Sequence, residues 1–188
     1  MAFAAIEASD QFGARWKAWA KRLEIRDPSA ITVLADGAKW IWEEARLDLV
    51  GSRGVLVIYH AIEAVSDTSK TVFGEGTPEE NSWTNQLRTT ILERGWEGFD
   101  ECWQQTRNRF LESRPQSSSL DELRNYLGNH ASHMNYAERL MEGRSIGSGQ
   151  IEGACKNLIG RRLKQTAAKW RVRRLNRMAG LCSIMYGQ

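Results

Sequence analysis

"AITVLADGAKWIWEEARLDLVGSRGVLVIYH", residues 30–60, decides how the chain folds. Residues 30–36, "AITVLAD", are short, apolar and β-branched, which predicts a buried strand ending on Asp36. "GAKWIWEEARLDL" follows at once, with apolar residues at helical spacing. Gly51 to Gly54 make a turn, and "VLVIY", residues 55–59, reads as a second buried strand closed by His60. Two strands joined by a helix have the shape of a βαβ unit, which favours a parallel pair.

Outward from this stretch the chain is helical. Upstream, Ser9-Asp10 is a cap for a helix carrying Phe12, Trp16, Trp19 and Leu23, and Asp27-Pro28-Ser29 breaks it. Downstream, "AIEAVSDTSKTVFG" has helical apolar spacing. Thr77-Pro78-Glu79-Glu80 combines a cap, a first-turn proline and acids at the positive end of the helix dipole. Trp83, Leu87 and Ile91 follow at steps of four, and Arg94-Gly95 ends that segment. Phe99, Cys102, Trp103 and Phe110 predict another helix ending near Pro115. Ser117 to Ser119 read as a polar loop capping a helix through Leu120, Leu123, Leu127 and Met134 to about Met141. Gly143 to Gly149 is a turn, Gln150 to Lys164 is helical, and Trp170 to Met185 is a final helix. The fold class is therefore mainly α with a small β component. Two strands are few for a sheet, so a wholly helical fold and an α/β fold short of strands both stay open.

Charge is divided along the chain. The net charge of +3 conceals ten Lys/Arg and one acid from Arg144 onward, against 16 and 22 before it. A basic stripe of that kind suits a polyanion, and nucleic acid is the commonest one. Three widely spaced cysteines, Cys102, Cys155 and Cys182, lack zinc spacing and predict a reducing, cytoplasmic setting. The first residues have no basic region followed by an apolar core, so no signal peptide is read. No apolar run approaches the roughly 20 residues of a membrane helix.

Several residues are candidates for chemistry. Asp36, at the C-terminal end of a strand, is placed either to hold a hard cation such as Mg²⁺ or to cap the following helix. Glu152, after the Gly147-Ser148-Gly149 turn, is either a metal-ligating carboxylate or a first-turn acid favoured by the dipole. Arg144, Lys156, Arg161, Arg162, Lys164, Lys169 and Arg171 surround it in sequence and would grip phosphates or form a solvated basic face. His130 and His133 share one face of a helix at i, i+3, where they are structural or surface residues, with no third metal ligand evident. Trp170 fills core or stacks on a base. The chain carries no nucleophile elbow, P-loop or dinucleotide-binding fingerprint.

Taken together, "VLADGAKWIWEEA" (33–45), "YHAIE" (59–63), "RSIGSGQIEGACKNLIGRRLK" (144–164) and "KWRV" (169–172) resemble the DDE transposases of bacterial insertion sequences. The likeness is to the Kra-type group, distantly related to Mutator-like transposases. It implies an RNase H-like catalytic fold carrying an all-helical insertion, and two Mg²⁺ or Mn²⁺ ions that cut and join DNA phosphodiesters. Asp36 matches the family's second catalytic aspartate and Glu152 its catalytic glutamate, both metal ligands. His60 matches a structural histidine, but Val57 stands where the family has a Cys or Asp, and Ala64 where it usually has a second His. The family's first aspartate lies on a strand upstream of the segment resembling residues 9–25, so a truncated fold, inactive alone, is expected. The implied division is 1–60 for the remnant of the RNase H-like core, 61–142 for the insertion, and 143–188 for helices that contact DNA. The partners expected are DNA element ends and a second copy of the chain, with no membrane. A non-catalytic DNA-binding remnant or repurposed helical module is the alternative.

Overall fold

The structure is a computed structural model that describes residues 9–24, 27–149, 153, 156, 160 and 169–186. It divides into two compact units, Asp27–Gly147 and Met1–Arg26 with Ser148–Gln188.

In the first of these units the βαβ stretch forms as its pattern requires. Strand β1 (Thr32–Ala35) and strand β2 (Arg53–Leu56) pair in parallel, from Thr32 opposite Arg53 to Ala35 opposite Leu56. Helix α2 (Lys39–Asp48) makes the crossover. β1 alternates half-buried and buried residues, with Val33 and Ala35 inward, while β2 buries Val55 and Leu56 completely. The fold is thus mainly helical with a two-stranded parallel sheet among the described residues.

β2 stops earlier than the apolar run 55–59 predicts. The Val57 amide still donates to the Ala35 carbonyl at 2.8 Å, but the Ile58 amide turns to the Ile146 carbonyl at 3.0 Å. Helix α3 (Ile58–Phe73) begins there, so His60 lies in its first turn rather than at a strand end.

The core is helical. α3 lays Ala61, Val65 and Val72 against helix α4 (Pro78–Arg109) and helix α5 (Arg114–Gly128). Trp83, Leu87, Ile91 and Phe99 of α4 meet Leu120, Leu123 and Leu127 of α5 in one cluster. Each large apolar side chain removed from water here contributes about 1.5–3 kcal/mol. Two tryptophans of this core satisfy their polar ends: Trp83 Nε1 donates to Thr106 Oγ1 at 2.8 Å and Trp103 Nε1 to the Leu120 carbonyl at 2.8 Å. α4 starts as its sequence predicts. Thr77 Oγ1 accepts from the Glu80 amide at 3.2 Å, and the Glu80 carboxylate reaches back to the Gly76 amide at 2.6 Å. At Gly95 α4 kinks, with φ +58°, and a Cβ there would collide with the Met134 carbonyl.

Two expectations for residues 113–141 fail. Ser117 to Ser119 lie inside α5, because Pro115 occupies its first turn and Ser117 is buried against the core. The helix through Leu120 does not reach Met141. It ends at Gly128, and a 3₁₀ turn (Ala131–His133) and helix α6 (Tyr136–Met141) follow.

The other unit carries helix α1 (Ser9–Arg22) and helix α7 (Val172–Tyr186), close to the predicted bounds. α7 buries Ala179 and Cys182 and leaves Arg173, Arg174 and Arg177 exposed. Among the described residues, no helix is long and apolar enough to cross a membrane.

Candidate functional site

Because β1 and β2 are parallel and in register, their C-terminal ends lie side by side. Asp36 leaves the end of β1, exposed, and its Oδ1 accepts from the Ala38 amide at 3.0 Å. That bond closes a short turn before α2. Ala38 is the capping residue of α2 and receives no side-chain cap, so the carboxylate is not a conventional helix cap. Gly37 next to it has φ +90°, and a Cβ there would lie 2.9 Å from Tyr126 Oη and 3.1 Å from His130 Nε2. Only glycine satisfies both the backbone and the close approach.

The segment leading toward "GSGQIE" is held against both strands, at the start of β1 and the end of β2. Arg139, only 4 % exposed, donates Nε and Nη2 to the Ser145 carbonyl at 3.0 and 2.9 Å and Nη1 to Thr32 Oγ1 at 3.3 Å. Burial, and then the nearby Arg144 charge, lower the pKa of Arg139 from its ordinary value. Ile146 accepts from Ile58, and Gly147 packs against the ring of Tyr59. Tyr136 Oη, fully buried, donates to the Leu56 carbonyl at 2.8 Å and closes the end of β2. Desolvation pushes that phenol up, so it remains a donor.

Beside this edge lies an open cleft of about 810 Å³ between α2 and the junction of α5 with the 3₁₀ turn. Trp42 stacks on His133 with ring centroids 4.2 Å apart and 15° between planes. His130 tilts against both, and Tyr126 meets it edge-on. Gly54 admits this arrangement, since a Cβ there would lie 2.6 Å from His133 Cδ2. Trp42 Nε1, His130 Nδ1 and His133 Nδ1 are buried without hydrogen-bond partners. Such orphans cost roughly 1–3 kcal/mol each. Burial lowers the pKa of His130; burial and then the His130 charge lower that of His133. Burial, followed by Asp36 and Glu63, raises that of Tyr126.

The predicted site residues are placed as follows. Asp36 and the exposed Arg144 belong to the Asp27–Gly147 unit, where Arg144 Nε pairs with Glu142 at 3.1 Å. His60 Nδ1 lies 3.4 Å from Glu63 Oε2 on the exposed flank of α3. Lys156, Lys169 and Arg171 are exposed in the other unit. Glu152, Arg161, Arg162 and Lys164, with most of the predicted helix 150–164, lie outside the described residues. His130 and His133 sit on a 3₁₀ turn, not a helix face, and His130 is 6 % exposed. Sequence reasoning missed Arg139, Tyr136 and the partnership of Trp42 with the histidines.

A divalent cation is the cofactor implied by the resemblance. Asp36 suits it in kind, being an exposed hard oxygen donor without an ion pair among the described residues. In number it does not suffice, because no three metal-ligating side chains cluster among the described residues. Comparison of the chain with known protein families, with curated proteins and with solved structures finds no match in any of the three.

Proposed function

We propose that this chain is part of a DDE-type transposase with an RNase H-like core, acting on DNA. One observation carries this. Asp36 ends β1, and Ile58, at the end of the paired β2, bonds to Ile146. Open α/β sheets collect their chemistry at the C-terminal ends of strands. The segment that leads to Glu152, five residues beyond Gly147, is therefore anchored at the end of the sheet from which Asp36 projects. Asp36 and Glu152 would hold the metal, which supplies charge neutralisation at a phosphodiester when bound. The fold's own work is to fix position. Arg139 ties Ser145 to the start of β1, Tyr136 closes the end of β2, and the Asx turn orients the Asp36 carboxylate. Exposed Lys156, Lys169 and Arg171 would meet the phosphate backbone without reading sequence.

A second reading is a non-catalytic DNA-binding module. It is favoured by the exposed arginines of α7. The two readings separate on supercoiled plasmid. With the upstream strand and its aspartate supplied, the transposase predicts Mg²⁺-dependent nicking lost in Asp36→Asn and in Glu152→Gln, with salt-sensitive binding kept in both. Binding without nicking, indifferent to Mg²⁺ and to both substitutions, selects the module instead. Absence of salt-sensitive DNA binding overturns both.

A further inference from the structure

The cleft beside Gly37 has features that the transposition chemistry leaves unused. Its floor is apolar, formed by Val33, Ala45 and Leu49. One wall is a set of rings, with Trp42 stacked on His133 and His130 leaning on both. Lys39 and Arg46 flank Trp42 on the same face of α2, one turn before and one after it, with Glu43 as the acid, and Glu43 pairs with Lys39 at 3.7 Å. Arg46 is exposed and makes no ion pair with a described residue.

The buried polar atoms say what the wall offers. His130 is more than nine-tenths buried, and its Nδ1, like that of His133, has no partner. Trp42 Nε1 is a third buried polar atom of this wall without a partner. The Nε2 atoms of His130 and His133 pack close against Gly37 and Gly54, where a Cβ would lie 3.1 and 2.8 Å away. The wall thus presents aromatic rings seated tightly by two glycines.

A purely apolar ligand would leave the two cations without a role. Inorganic phosphate would leave the floor and rings without one. A flat ring joined to an anion uses all of them, and the cleft volume of about 810 Å³ is of the size that holds such a ligand.

We infer that this cleft binds a nucleotide, its base against the Trp42–His133–His130 wall and its phosphate at Lys39 and Arg46. The inference deepens the DNA function proposed above and rests on it for one source, an unpaired nucleotide of a strand. A free mononucleotide has the same chemistry and is the other source.

The test uses the full chain and the imidazole resonances of its three histidines, with His60 as internal reference. The probes are a short single-stranded oligonucleotide, the same strand with an abasic position, a deoxynucleoside monophosphate and inorganic phosphate. The intact strand is expected to bind about tenfold more tightly than the abasic one, the scale of one stacked base. It should shift His130 and His133 but not His60. Trp42→Leu should remove the base-dependent difference. Arg46→Gln, an exposed rim change that leaves the core untouched, should weaken the intact strand and the monophosphate alike. Saturable shifts with the monophosphate, and none with the strand, support the cleft with a free nucleotide as its ligand. Shifts of equal size with inorganic phosphate overturn the inference, as do unmoved His130 and His133 with every probe. In the latter case salt-sensitive duplex binding can persist, and the DNA function stands. Monophosphate binding without any duplex binding leaves the cleft and removes the DNA function.

Discussion

Arg139 grips the Ser145 carbonyl with two nitrogens, Nε at 3.0 Å and Nη2 at 2.9 Å, while Nη1 reaches Thr32 Oγ1 at 3.3 Å. One buried guanidinium thereby ties the segment before Gly147 to the first strand. A lysine cannot reproduce the planar fork. Arg139→Lys is expected to lose about 2–3 kcal/mol, since hydrogen bonds from a charged donor are of that size. Urea unfolding measures the loss. Hydrogen exchange at the Ile58 amide, which depends on the position of Ile146, should quicken more than exchange in α4.

Gly95 separates two ways in which a glycine matters. Its φ of +58° strains any other residue, and the Met134 carbonyl occupies the place of a Cβ. Backbone cannot swing aside as a side chain can. Gly95→Ala is expected to cost about 3 kcal/mol or more, combining left-handed strain with overpacking. Gly51 has φ +93° but open space around it, so Gly51→Ala should cost about 1 kcal/mol. Equal losses in thermal melts of the two variants would show that Met134 yields.

The histidine pair sets a pH dependence. Both imidazoles have pKa values lowered by burial in the folded chain. The unfolded chain therefore binds more protons than the folded one once the pH drops below the ordinary histidine value of about 6.5. The pair's contribution is complete above that pH and is lost as pH falls through the lowered folded values. Stability measured between about pH 5 and 6.5 should fall with acidity. That slope should flatten in the His130→Gln, His133→Gln double variant, and an unchanged slope would assign it to other groups.

The sequence shows most clearly where local pattern and tertiary demand agree. Thr32–Ala35 is apolar, β-branched and ends on Asp-Gly, and it forms the strand its composition suggests. Thr77 and Glu80 announce α4 through caps made within a few residues of each other. The apolar run 55–59 misleads because pairing is decided elsewhere, by Ile146 taking the Ile58 amide. The serines 117–119 mislead because polar composition suggests a loop, while Pro115 fixes the first turn of α5. Trp42 and His133 lie 91 residues apart in sequence and stack only through the fold. Arg139 looks in sequence like any surface arginine, and its burial is set by Ser145 and Thr32. The position of Asp36 just after β1 is legible because a strand end and a glycine mark it locally.

The proposed transposase chemistry requires Asp36 and Glu152 to share a divalent cation. Fe²⁺ in place of Mg²⁺, with ascorbate and peroxide, cuts a polypeptide beside the atoms that hold the ion, and the fragments can be mapped by mass. Cuts are expected near both Asp36 and Glu152, with both sets suppressed by Asp36→Asn and excess Mg²⁺ protecting both. Cuts near one carboxylate alone, or a pattern that Asp36→Asn leaves unchanged, would contradict the shared cation.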